Sequence, residues 1–171
     1  VAASDLKALD AKTSVTVDAS AVKEITGTAA ELKTVLAAKT ITLDTTAVAV
    51  TVDGKVSAAD LNTIAKATGG VVTAEIEGSA AALNAALKDV NSSDLISVTL
   101  TGATATAKDI LELNAKCPDF NGDSLQTITG TFAQMKLIAD GALNQALTIT
   151  DTIKATDSDI TALNSITNFA S

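Results

Sequence analysis

Asp119-Phe120-Asn121-Gly122-Asp123-Ser124 has the Asp-x-Asn-x-Asp spacing of a calcium loop, which sets three oxygen ligands on one side of a turn. Its twelfth position is Gly130, where such a loop needs a bidentate Glu. The segment therefore reads as an inter-repeat turn closed by Asx hydrogen bonds, with calcium on Asp119, Asn121 and Asp123 as the alternative. Asp53 to Asp60 echoes the second half of such a loop, but Ala49 and Thr51 stand at the first ligand positions, so it reads as a turn followed by a helix cap. Glu75 and Glu77 offer paired carboxylates for acid/base work, yet they fall on the exposed, convex or flat side of a strand and read as surface residues. Cys117, the one cysteine, has no partner for an internal disulfide and reads as a small buried apolar residue. No catalytic, metal or cofactor residue is assigned, and the chain is not expected to be an enzyme.

Composition narrows the chemistry further. All 12 basic residues are Lys, and Arg, His, Trp and Tyr are absent. Without His there is no imidazole base or His metal ligand, and without Arg no bidentate clamp for phosphate. A formal net charge of −8 disfavours nucleic acid and anionic membrane as partners. Among the 171 residues are 33 Ala and 26 Thr, roughly a third of the chain. A hydrophobic content of 47% still supplies a core, built from Val, Ile, Leu and Ala. No apolar run reaches the ~18 residues of a membrane span.

The elements that must position these residues recur. An alternating β-like run ends in Gly, a Ser or Thr follows, and an Ala-Leu helical stretch comes next. The runs are 22–27 (VKEITG), 50–54 (VTVDG), 72–78 (VTAEIEG), 98–102 (VTLTG), 125–130 (LQTITG) and 147–151 (LTITD), the last closing on Asp. Between closing residues the steps are 27, 24, 24, 28 and 21. Thr28 with Glu31 matches a capping box, Ser57 with Asp60 a shorter version, and Ser79, Thr106 and Thr131 occupy cap positions. Behind the caps, apolar residues at helical spacing predict one buried face per helix: Leu32, Val35 and Leu36; Leu61, Ile64 and Ala65; Leu83, Ala86 and Leu87; Ile110 and Leu113; Met135 and Ile138; Ile160, Leu163 and Ile166. Leu6 and Leu9 mark an earlier helix of the same kind.

Period two places Val98, Leu100, Ile128, Leu147 and Ile149 toward the helices. Thr99, Thr101, Thr127, Thr129, Thr148 and Thr150 then form an outward ladder. Runs 15–18 and 41–44 predict a second short strand in the first two units, and Gly69-Gly70, 91–94 and 118–124 predict turns. The fold class expected is α/β: a right-handed repeat solenoid of about 25 residues per coil, with a parallel sheet on one side and short helices on the other. It should form one domain over 1–171. Because the chain opens at Val1 and stops at Ser171 inside helical stretches, it reads as part of a longer array.

Residues 9–13 (LDAKT), 15–20 (VTVDAS) and 25–32 (ITGTAAEL) resemble the Ala/Thr/Asp-rich repeat regions of very long secreted bacterial surface proteins of cyanobacterial type. The resemblance implies an adhesin-like or envelope-coat segment outside the cell and transfers no catalytic residue. No Gly-Gly-x-Gly-x-Asp nonapeptide is present, so calcium-driven folding is not carried over. The expected function is that of an extracellular or cell-surface stalk, spacer or coat unit. Its partners are neighbouring repeats of the parent chain, with end-to-end self-association. The alternative is a binding module whose Thr-rich sheet meets glycan, ice or a partner protein.

Overall fold

The structure, a computed structural model, describes residues 1–140 and 147–149. Six helices lie among them: α1 (Ala3–Asp10), α2 (Ala29–Ala37), α3 (Ala58–Ala67), α4 (Ala80–Ala86), α5 (Ala107–Lys116) and α6 (Phe132–Asp140). The strands are β1 (Val17–Asp18), β2 (Glu24–Gly27), β3 (Ile41–Thr42), β4 (Ala49–Val56), β5 (Val72–Gly78), β6 (Leu95–Leu100), β7 (Thr104–Thr106), β8 (Phe120–Asn121), β9 (Thr127–Gly130) and β10 (Leu147–Ile149). The chain is mixed α/β, and every strand pair is parallel. Five strands form one sheet in the order β2-β4-β5-β6-β8, three form a second in the order β10-β9-β7, and β1 pairs with β3. Parallel neighbours need a crossover, and a helix supplies it between the successive long strands. Each helix contacts the next along the chain.

Local chemistry sets where the helices start. Thr28 accepts from the Glu31 amide while the Glu31 carboxylate accepts from the Thr28 amide, a complete capping box. Ser57, Ser79, Thr106 and Thr131 accept from the amides of Asp60, Ala82, Asp109 and Gln134 in the same way. Five of the six helices begin with Ala, and Ala3 and Ala107 are fully buried. The reason is a close approach to a strand end: an added Cβ on Gly27 would lie 3.2 Å from Ala3 Cβ, and one on Gly130 only 2.7 Å from Ala107 Cβ. A larger residue at either partner would push strand end and helix apart.

The apolar spacing buries as expected at Leu32, Val35, Leu61, Ile64, Leu83, Leu87, Ile110, Leu113, Met135 and Ile138. With the inward strand residues Ile25, Val50, Ile76, Val98 and Ile128 they form one continuous core between sheet and helices. Leu9 differs: it is 52% exposed, on the side of α1 that no described element covers. The predicted helix around Ile160, Leu163 and Ile166 and the end of the 147–151 run lie outside the described residues.

Two of the glycines read as strand ends are something else. Gly54, at φ 72°, sits in an irregularity of β4 between Thr51 and Lys55, and the strand continues to Val56 before Ser57 caps the helix. Asp53-Gly54 is thus a bulge and not a terminal turn. Gly102, at φ 94°, breaks a strand that resumes as β7 and ends at the Thr106 cap. The 118–124 segment, read as a turn, contains β8, because Phe120 and Asn121 pair with Val98 and Thr99.

A close pass of backbone also accounts for Gly69-Gly70. Thr68 donates its hydroxyl to the Val48 carbonyl and accepts the Gly70 amide, folding Gly70 onto the backbone before β4. A Cβ on Gly70 would lie 2.2 Å from Val48 O. Gly70→Ala is expected to lower the unfolding free energy by about 1–3 kcal/mol, the range of an overpacked site, in urea denaturation. An unchanged midpoint would show that these two coils do not approach in this way.

Candidate functional site

The most regular polar surface is the sheet face turned away from the helices. Register brings Thr26, Thr51, Thr73 and Leu95 into one row across four strands. Lys55, Glu75 and Ser97 make a second row, and Glu77, Thr99 and Asn121 a third. Thr51 donates to Glu24 Oε1 at 2.8 Å, and Lys55 pairs with Glu77, which raises the Lys55 pKa. Glu75 and Glu77 are exposed, and Glu77 is committed to that lysine instead of to a second acid.

The outward threonine ladder exists in altered form. Thr99 aligns with Glu77 and Asn121, and Thr101 lies beyond the end of β6, so neither stacks on Thr127 or Thr129. The partners of that pair are Thr104 and Thr106, with Thr148 continuing the second row; Thr150 lies outside the described residues. Thr106 is also the cap of α5 and donates to Asp109 Oδ2 at 2.7 Å, so its hydroxyl is already engaged. No sequence signal marked β7, a three-residue strand behind a glycine kink.

That inserted strand creates a hollow. β5 ends at Gly78 and enters α4 at once, whereas the following coil runs through 101–106 before its helix, leaving β7 at the edge of the second sheet. Between the two lies a groove of about 440 Å³ lined by Ser79, Ala80, Ala81, Thr104, Ala105, Thr106, Asp109 and Thr129. Its walls are small side chains and hydroxyls, with one carboxylate.

In the candidate calcium segment, Asn121 Oδ1 accepts the Asp123 amide at 2.8 Å, and Asn121 Nδ2 donates to Asp123 Oδ2 at 3.1 Å. This is the Asx turn expected from the sequence. Among the described residues no group of three or more His, Cys, Asp or Glu side chains is placed to hold a metal ion, and no helix is long and apolar enough to cross a membrane. The same kind of turn recurs: Asp18 accepts from Ser20, Asp44 from Thr46 and Asn91 from Ser93.

Polar side chains also link each of α2 to α4 to a neighbouring element. Lys33 on α2 pairs with Asp60 on α3. Asn62 on α3 donates to Asp89 and accepts the amides of Lys88 and Asp89 beyond α4. Asn84, nearly buried on α4, donates to Glu112 and accepts Lys116, both on α5. Sequence reading missed this row, whose signal was a Lys or Asn at the fifth position of α1 to α4. Buried Asp94 performs a similar task at the sheet, accepting the Val72 amide at 2.9 Å and the Asn91 amide at 3.0 Å.

These contacts hold several carboxylates below their ordinary range: Glu31 through the Thr28 hydroxyl and amide, Asp60 through Lys33 and then Ser57, and Glu112 chiefly through Lys108. A carboxylate whose pKa is lower folded than unfolded stabilises the fold above the unfolded value of about 4 and ceases to do so as pH falls through its folded value. Melting temperature is expected to be flat near neutrality and to fall below about pH 4. Glu31→Gln combined with Asp60→Asn should make that acid limb shallower; an equally steep limb would remove these groups from the account.

Cys117 is fully buried at the end of α5, and burial, with the Asp94 charge adding to it, pushes its thiol up to about 11. A neutral thiol out of contact with solvent is a poor nucleophile, which matches the structural reading. Thiol reagents at pH 8 should label Cys117 only at the rate of unfolding, rising with urea in step with loss of helix signal. Rapid labelling of the native chain would contradict this burial.

With that geometry in place, comparison with known proteins is negative at each level: no family model, no curated protein and no solved structure matches this chain.

Proposed function

We propose that this chain is a length of right-handed α/β solenoid that acts as a structural or adhesive segment, a stalk, spacer or coat unit, outside the cell. The observation that carries the reading is the strand order: along the five-stranded sheet it follows the order of the chain, and each helix touches its sequence successor. Such stacking makes length a function of coil number, each coil adding about 4.8 Å, the separation of neighbouring strands. Abundant Thr and a net charge of −8 keep a long surface of this kind hydrated. The resemblance to secreted bacterial repeat regions adds the location.

A second reading is favoured by the row of Thr26, Thr51 and Thr73, which presents hydroxyls and methyls at the strand repeat. In this reading the face recognises a glycan, ice or another protein.

Small-angle scattering on the chain and on a tandem fusion of two copies tests the first reading. The expected result is a cross-section that stays constant while the long axis grows with coil number; two tethered compact particles would refute the solenoid. Antibody labelling of intact source cells tests the location. Glycan arrays and a thermal-hysteresis assay, with Thr51→Glu and Thr73→Glu as controls, test the second reading, which requires activity that both substitutions abolish.

A further inference from the structure

We propose that Asn84 and Lys116 join spontaneously in an isopeptide bond that ties α4 to α5, with Glu112 carrying the proton. The three side chains meet where the two helices lie side by side. Lys116 Nζ sits 3.2 Å from Asn84 Oδ1 and 3.3 Å from the Asn84 main-chain carbonyl oxygen. Asn84 Nδ2 donates to Glu112 Oε2 at 2.5 Å. Lys108 holds the other oxygen of that carboxylate, Oε1, which leaves Oε2 turned to the amide. The partner of the lysine sets this cluster apart. Lys33, Lys55 and Lys108 each end on a carboxylate, an anion that resists attack by an amine. Lys116 ends on a neutral carboxamide whose nitrogen can leave, and Asn84 is only 9% exposed, so little water competes for it.

Asn84 Cγ is bonded to the oxygen that Lys116 already contacts. A small rotation of the lysine brings Nζ onto that carbon, at about the 3–3.5 Å of a near-attack pose. Glu112 takes a proton from the Lys116 ammonium, whose charge already acts on it. The freed lone pair forms the Nζ–Cγ bond. The Cγ–Nδ2 bond breaks as Nδ2 receives that proton from Glu112 and a second from Nζ, and the nitrogen leaves as ammonium. One ammonium and one carboxamide thus become one secondary amide and one ammonium ion, and nothing is oxidised or reduced. The bond closes a ring between residues 32 apart in sequence, so tension on the chain ends passes through it. That mechanical value rests on the stalk reading, whereas the chemistry does not.

Intact-mass spectrometry of the denatured whole chain, before and after incubation at about pH 9, where more of the amine is neutral, tests this. The expected product is lighter than the sequence requires by about 17 Da, one ammonia, and yields a branched proteolytic peptide joining Asn84 to Lys116. Lys116→Arg keeps the charge and should stay at full mass. Glu112→Gln should slow formation at least about a hundredfold, within the range of proton-transfer catalysis. Glu112 is exposed and Lys116 half-buried, so both variants should keep the wild-type circular dichroism. A wild-type chain that holds its full mass throughout overturns the proposal. So does the same mass loss in Lys116→Arg, which marks a succinimide at Asn84, and so does an unchanged rate in Glu112→Gln. None of these results touches the stalk reading, which scattering from the tandem fusion decides.

Discussion

A strand of four to eight residues presents backbone donors and acceptors on both edges, and the long strands here are satisfied by parallel neighbours contributed by other parts of the chain. Because the pairing is parallel, the chain has to travel back across the sheet between strands, and the short helix is the return path. Much of the rest follows from this. The helix has to start immediately where the strand stops, so a Ser or Thr cap stands at the junction. The close approach of a strand end to a helix start leaves little room at that corner, so five of the six helices begin with Ala and the strand end is often Gly.

The apolar core holds the helices on the sheet, and polar contacts align each helix with its neighbour. Ile25, Val50, Ile76 and Ile128 fill the interior beneath the helices. Lys33–Asp60, Asn62–Asp89 and Asn84–Glu112 are each about one coil apart in sequence. An exposed ion pair adds little stability alone. Its value here is positional, since a coil displaced by one residue would lose these partners together with its buried face. Asp94 belongs to the same scheme but is buried, so its two backbone amides are what make its charge tolerable.

One coil departs from the pattern. The six residues 101–106 lengthen the path between β6 and α5, place β7 at the edge of the second sheet, and open the groove beside Ser79 and Asp109.

The sequence by itself determined the alternation of strand and helix, the five hydroxyl caps and most of the buried face of the described helices. These depend on interactions within a few residues or on a periodicity of 2 or 3.6, and both are written along the chain. Only the tertiary structure decided which elements meet. Gly54 and Gly102 resemble Gly78 in sequence, yet they take positive φ within a bulge and a kink because their neighbours' register requires it. The threonine ladder was legible as an alternation but not as a set of partners, since Thr99 faces Asn121 while Thr127 faces Thr104. Leu9 carries the helical spacing of Val35 and still lies exposed, because burial depends on what stacks against a residue and not on its own periodicity. The strand β8 and the Lys33 and Asn84 contacts join residues more than twenty positions apart, a distance over which local preference carries no information.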